Sequence, residues 1–393
     1  MRWKFIDPSD TSLMQAREVV IGKIDQWWRD FASKTDDLDA HFHRRSKWDL
    51  PQWMADHLGA IDDRLCWEYG HEEATGGHRL IITPESHTEL RPLVETILAR
   101  TPQLDTWRFY PYRQIESVEM AVRTVLARTG IEWPETRAYA SRGQLNRIDL
   151  LFESVGFTTP DDQTALSQAF VATETLLGEE TLDKWIGAIE VTPRAQGKRM
   201  IPLEGLLETV TALRCSIVEQ LPDKPCYCFP EVTGWSLYEA KREKKEDYPT
   251  KEDLIVGTTM IQQPALAFIN RGESFYSSAF SRFGERFCYL KIDGQGDDPK
   301  PMQLDERAEL GDGLDAVLKP TKLGCMVGGG TGLRYAYIDL ALTNVERSIP
   351  IIKHGLQEAH IPKRSWLLFC DCEWRDEWVG IYDDTPPPPR ETE

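Results

Sequence analysis

The chain has 393 residues, enough for two to four domains that each bury a core of their own. Its 64 acidic against 46 basic residues give a net charge of −18, which opposes non-specific binding to nucleic acid and docking on anionic lipid. No apolar run approaches the roughly 18 residues of a membrane helix, and the opening residues lack an apolar leader. The eight cysteines are scattered rather than spaced as a disulfide framework, so a cytoplasmic protein is expected.

Taken in chain order, residues 2–6 read as a short strand. Residues 12–31 read as an amphipathic helix carrying Val19, Val20, Ile24, Trp27, Trp28 and Phe31. A polar, irregular stretch over 33–51, a long connection or short helical pieces, leads to a helix at 52–61. Strands follow at 66–69 and 79–83 around a loop ending in Gly76-Gly77, then a helix at 85–100 and a strand at 107–112. This first α+β module spans residues 1–113.

A second module, 114–200, has a helix at 117–128, strands at 136–140 and 145–153, a helix at 161–178 and a strand at 182–192. Residues 201–283 form a connector. It contains a helix at 203–220, a strand at 226–229, a charged run at 239–253 that reads as a solvated helix or linker, and strand-prone stretches at 255–269 and 275–283.

The third module, 284–383, is the clearest. A strand at 287–292, a turn-rich link at 294–301 and a helix at 304–318 precede Cys325–Val327, a short apolar strand. Residues 328–332 hold four glycines in five positions and read as a hairpin turn, because glycine adopts positive φ at no steric cost. A strand follows at 333–340. Thr343 and Glu346 read as a capping box for a helix bearing Val345, Ile349, Ile352 and Leu356, and 365–369 is the last strand. The order is β-α-β-β-α-β, the split βαβ pattern of ferredoxin-like folds. The proline-rich residues 384–393 are expected to be disordered.

Looser versions of this unit occur earlier. Gly77 and Trp107 stand 30 residues apart and Gly332 and Trp366 stand 34, each pair bracketing strand, helix and the next strand. Fixed-order similarity of this kind indicates module duplication. The expected fold is therefore α+β, built from repeated ferredoxin-like modules with mainly antiparallel sheets and helices on one face.

Three groups of residues are candidate sites. Gly328, Gly329 and Gly330 read first as a turn and second as an anion-binding nest helped by Arg334, although the Lys-Ser/Thr of a P-loop is missing and a strand, not a helix, follows. Asp371, Glu373, Trp374 and Trp378 form an acidic-aromatic cluster. A solvated strand end, a contact face for a basic partner and a carboxylate pair for acid–base work all fit it. Six histidines fall within 41–87, including His41 and His43, but neither HExxH nor CxxC accompanies them and no metal or cofactor is implied. The C-x-C pairs Cys226/Cys228 and Cys370/Cys372 read as buried thiols on one face of a strand. A GxSxG elbow is absent, and no Ser-His-Asp or Cys-His arrangement can be asserted.

The βαββαβ order, the acidic balance and the glycine hairpin leading into an aromatic strand resemble the ribonuclease-E-regulator-B type of small acidic ferredoxin-like domain. They are similar also to a family of uncharacterised bacterial proteins built from such domains. The resemblance implies a non-catalytic regulator, adaptor or immunity-type protein that acts through contact with another protein. The alternative is a small-ligand-binding protein or enzyme with a site at the 328–332 turn.

Overall fold

The computed structural model of the protein describes residues 1–43, 45, 47–72, 76–159, 162–229, 235–271, 274–294 and 300–390. The chain forms two compact units, Met1–Arg113 and Gln114–Glu393. Both mix helix and sheet, which makes the protein α+β. No helix among the described residues is long and apolar enough to cross a membrane.

In the first unit, α1 (Thr11–Ser33) begins where the Asp10 carboxylate accepts the Leu13 N–H at 2.9 Å, relieving one of the unpaired donors of a first turn. Its buried residues Ile24, Trp27, Trp28 and Phe31 recur at three and four, so they form one stripe. Helices α2 (Thr35–Phe42) and α3 (Leu50–His57) follow, α3 capped by Asp49. Strands β1 (Cys66–Glu72) and β2 (Gly77–Thr83) pair antiparallel, and α4 (Arg91–Leu98) carries the chain to β3 (Trp107–Tyr110), which pairs directly and in parallel with β2. The stripe of α1 packs on this sheet: Phe31 lies 4.9 Å from Trp107 and Trp28 lies 4.9 Å from Phe109, both edge-on. The expected strand at 2–6 is a bend instead. The loop expected at 71–77 lies in part outside the described residues.

The second unit starts with α5 (Val118–Thr129), stopped by Gly130 at φ 72°. Strands β4 (Arg137–Arg142) and β5 (Ile148–Glu153) form a hairpin. Helices α6 (Gln163–Leu177) and α7 (Glu179–Trp185) cross over to β6 (Ile186–Thr192), parallel to β5, and a two-residue strand β7 (Ile201–Pro202) closes the sheet order β6-β5-β4-β7. The strand expected to begin at 182 starts at Ile186, because the chain stays helical through Trp185.

After α8 (Leu206–Glu219) the chain builds a seven-stranded, wholly antiparallel sheet from β8 (Ser236–Glu239), β9 (Leu254–Thr259), β10 (Arg286–Ile292), β11 (Gly324–Gly332), β12 (Ala336–Leu342), β13 (Ser365–Phe369) and β14 (Trp378–Gly380), in the order β14-β13-β10-β12-β11-β9-β8. Helix α9 (Gln262–Arg271) follows β9, α10 (Leu304–Leu318) joins β10 to β11, and α11 (Val345–Glu358) joins β12 to β13. Where strands were expected at 226–229 and 275–283, the chain makes the short 3-10 turns Cys226–Cys228 and Ser277–Ala279. The apolar stretch at 255–269 divides between β9 and α9. Most of the expected link at 294–301 lies outside the described residues.

The two sheets of this unit share one apolar core, in which Leu150 and Phe152 of β5 belong with Phe287 and Tyr289 of β10 and Trp366 of β13. Helix α11 is capped by Asn344, which accepts the Arg347 N–H at 3.0 Å, one residue later than expected. The hydroxyl of Thr343 donates instead to the Lys322 carbonyl at 2.7 Å. The proline-rich segment is held at its start: Trp366 donates its indole N–H to the Pro386 carbonyl at 2.6 Å, and Thr385 is buried.

Hairpin, helix and third strand thus occur in the first unit, in the smaller sheet and in the larger sheet. In the first two the third strand lies parallel beside the second. In the larger sheet β10 is inserted between β12 and β13, giving β13-β10-β12-β11. The element order is shared; the strand pairing is not.

Candidate ligand cavity

The four glycines do not make a turn. Gly328, Gly329 and Gly330 lie inside β11, flanked on both sides by strands β9 and β12. A Cβ on Gly330 would come within 2.7 Å of the Val256 carbonyl oxygen and closer still to Leu254, and one on Gly328 within 2.7 Å of the Thr258 carbonyl. The residues are small because neighbouring backbone approaches closely, and an extended strand offers no converging N–H groups to an anion. The hairpin connection is instead Leu333, Arg334 and Tyr335.

Arg334 is occupied within the fold. Its guanidinium grips Asp293 through Nε at 2.6 Å and Nη2 at 2.9 Å, and its backbone N–H donates to Asp253 at 2.8 Å. Asp253 also accepts from the Tyr335 N–H at 2.9 Å and from the Tyr337 hydroxyl. Asp247 accepts from the Tyr335 hydroxyl at 2.5 Å and from Arg364 at 2.6 Å. Lys291, fully buried, donates to the Tyr248 carbonyl and lies 4.1 Å from the Tyr335 ring. Two members of this network, Asp247 and Asp253, come from the charged run expected to be solvated. Nothing in their local spacing reveals it, because Arg334 and Tyr335, which they bind, stand more than 80 residues away.

The acidic-aromatic cluster is also internal. Asp371, Glu373 and Trp374 are 1%, 6% and 6% exposed. Asp371 accepts the Ser277 N–H at 2.7 Å and hydroxyl at 2.5 Å, and Arg286 bridges Asp371 and Glu373 at 3.0 Å each while lying 4.4 Å from the Trp374 ring. Burial pushes the Asp371 carboxyl above its ordinary range, with Arg286 and Ser277 pulling the other way. The buried carboxylates present no contact face. Cys226 lies in a 3-10 turn and Cys372 in another, so the single-strand argument for their pairs lapses.

Trp378 has a different place. It lines a cavity of about 620 Å³, within the roughly 300–1,000 Å³ of ordinary small-molecule pockets. Apolar surface comes from Phe268 and Ile269 of α9, Tyr289 of β10, Leu368 of β13, Trp378 of β14, and Pro388 and Pro389 of the terminal segment. Arg242, Arg375 and Arg390 stand exposed at its margin. Lys251 also lines it and pairs with Asp339, its ammonium 4.6 Å from the Tyr289 ring. Burial is the largest single influence on Lys251 and lowers its pKa, but Asp339, Tyr238 and Cys370 together hold the value above the ordinary lysine range.

No family model matches this chain. No curated protein and no solved structure is significantly similar to it either.

Of the residues singled out in the sequence, the cavity takes Trp378 and touches Asp371. Arg242, Lys251, Phe268 and Arg390 escape sequence reasoning. Arg242 and Lys251 share one charge run that looks like any solvated one, and Phe268 and Arg390 come from other segments with no local motif.

Proposed function

We propose that this protein is a binding protein whose ligand is a small organic molecule held in the cavity beside β13 and β14. The supporting observation is the cavity itself, with aromatic and aliphatic walls, a partly buried charged pair at Lys251 and Asp339, and guanidinium groups at its margin. Walls of this kind supply affinity by burying apolar ligand surface, and a few polar groups set orientation. We read β10-α10-β11-β12-α11-β13 as a ferredoxin-like module extended by β14 on one side and by β9 and β8 on the other. The earlier ββαβ stretches are read as its reduced relatives. Eight cysteines with no disulfide assigned among the described residues, and the absence of a membrane-spanning helix among them, support a reducing, cytoplasmic setting.

A thermal-shift screen of the full chain against organic acids, nucleotides and lipophilic metabolites tests the reading. A ligand at a hundred times its Kd stabilises by about 2.7 kcal/mol, a readily measured rise in Tm. Ile269 is 44% exposed and lines the cavity, so Ile269→Trp narrows the space while keeping the fold. A hit lost in Ile269→Trp supports the reading, and flat curves across the panel overturn it.

A second reading, regulation through contact with another protein, is favoured by edge strand β8. Leu237 is 64% and the nearby Trp235 47% exposed there, at a sheet edge that no strand among the described residues covers. A partner captured by the wild type and released by Leu237→Lys would favour it over the cavity.

A further inference from the structure

We infer that the cavity is built for an amphipathic organic anion: an apolar body seated against Phe268, Leu368 and Trp378, with a carboxylate reaching the arginines at the margin. The inference rests on the binding reading above and names the class of ligand.

Charge is what singles out this cavity. Acids outnumber bases across the chain, yet the lining carries Arg242, Lys251, Arg375 and Arg390 against Glu252, Asp371 and Asp376. Internal pairing removes most of the acids. Glu252 accepts from Lys245 at 2.8 Å, and Asp371 is enclosed by Ser277 and Arg286. Lys251 is balanced by Asp339. What faces the space with donors to spare is the guanidinium pair Arg242 and Arg390, with Asp376 beside them.

Arg242 commits Nε to the Leu254 carbonyl at 3.1 Å, which fixes the side chain along the margin and leaves both terminal nitrogens for a ligand. Arg390 makes no hydrogen bond or ion pair among the described residues. A guanidinium with two adjacent N–H groups matches a carboxylate in a fork, which is stronger than a contact between neutral groups. The apolar walls have no charge to offer, so the head group belongs at the arginine margin and the body inside.

The test compares two fluorescent probes on the full chain: anilinonaphthalene sulfonate, an apolar anion, and phenylnaphthylamine, its uncharged counterpart. Dodecanoate and dodecanol serve as competitors. The charged probe is expected to bind one per chain and to be displaced by dodecanoate far better than by dodecanol. The exposed double variant Arg242→Ala/Arg390→Ala should weaken the charged probe roughly tenfold or more while holding the uncharged probe within about twofold. Ile269→Trp should weaken both. An arginine variant that loses neither probe, or loses both equally, overturns the anionic class and leaves the cavity reading standing. Failure of both probes to bind the wild type, or binding that Ile269→Trp leaves untouched, overturns the cavity reading as well.

Discussion

Two pairs of charged residues in the larger unit are supplied by one short segment, and the pairs behave in opposite ways. Between Arg242 and Leu254, Asp247 and Asp253 turn inward to the network of Arg334, Arg364, Tyr335 and Tyr337, where every carboxylate meets donors from the chain itself. Arg242 and Lys251 go to the cavity, and Arg242 keeps donors unspent. Charge density alone does not mark a functional surface. What matters is whether the fold has already used the charge, and a group whose partners are internal contributes to stability rather than to recognition.

The sharpest way to break this contrast is Asp253→Ala. It strips one buried carboxylate from two backbone donors and a tyrosine hydroxyl, and breaking such a buried network costs about 3–5 kcal/mol. Urea unfolding should show that loss. A change under about 1 kcal/mol would mean the network is slack.

Lys291 gives a pH-dependent version of the same test. Burial lowers its pKa from 10.5 to about 8, although Asp253, Asp247 and Asp293 pull it upward. The folded chain holds that proton less tightly than the unfolded one. Its charged form therefore penalises folding in full below pH 8, and the penalty fades as pH rises from 8 towards 10.5. Lys291→Met should be the more stable protein at neutral pH, by on the order of 2–3 kcal/mol, with the gap closing towards pH 10. A gap independent of pH would place the ammonium in a better-solvated setting.

Gly330→Val comes next. The added side chain meets the Val256 carbonyl and Leu254 in the middle of the sheet, and overpacking of this kind costs about 1–3 kcal/mol. Differential scanning calorimetry should record a lower Tm, and probe binding in the cavity should persist in the folded fraction. Selective loss of binding at unchanged stability would return the glycines to the list of ligand contacts. Arg242→Ala should have the smallest effect on folding, within about 0.5 kcal/mol, because the residue is exposed. Its effect should fall on the affinity for the charged probe.

Local pattern was enough for most elements of this protein. The stripe Ile24, Trp27, Trp28 and Phe31 specifies α1 because a helix brings such residues to one side wherever it lies. Val345, Ile352 and Leu356 do the same for α11, and the run Phe287–Ile292 sits within β10. The connection order from β10 to β13 was legible because each element announces itself over its own few residues. Tertiary structure alone decided the rest. Residues 328–332 looked like a turn because glycine permits turns, but strands β9 and β12 demanded the same residues for close approach. Asp371 and Glu373 looked solvated until Arg286, more than 80 residues away, enclosed them. The cavity draws on α9, β10, β13, β14 and the terminal prolines, and Arg242 and Lys251 reach it from a segment far from β13 and β14 in the sequence. Helices and strands are set by interactions a few residues long, whereas the roles of charges and glycines depend on neighbours that only folding brings near.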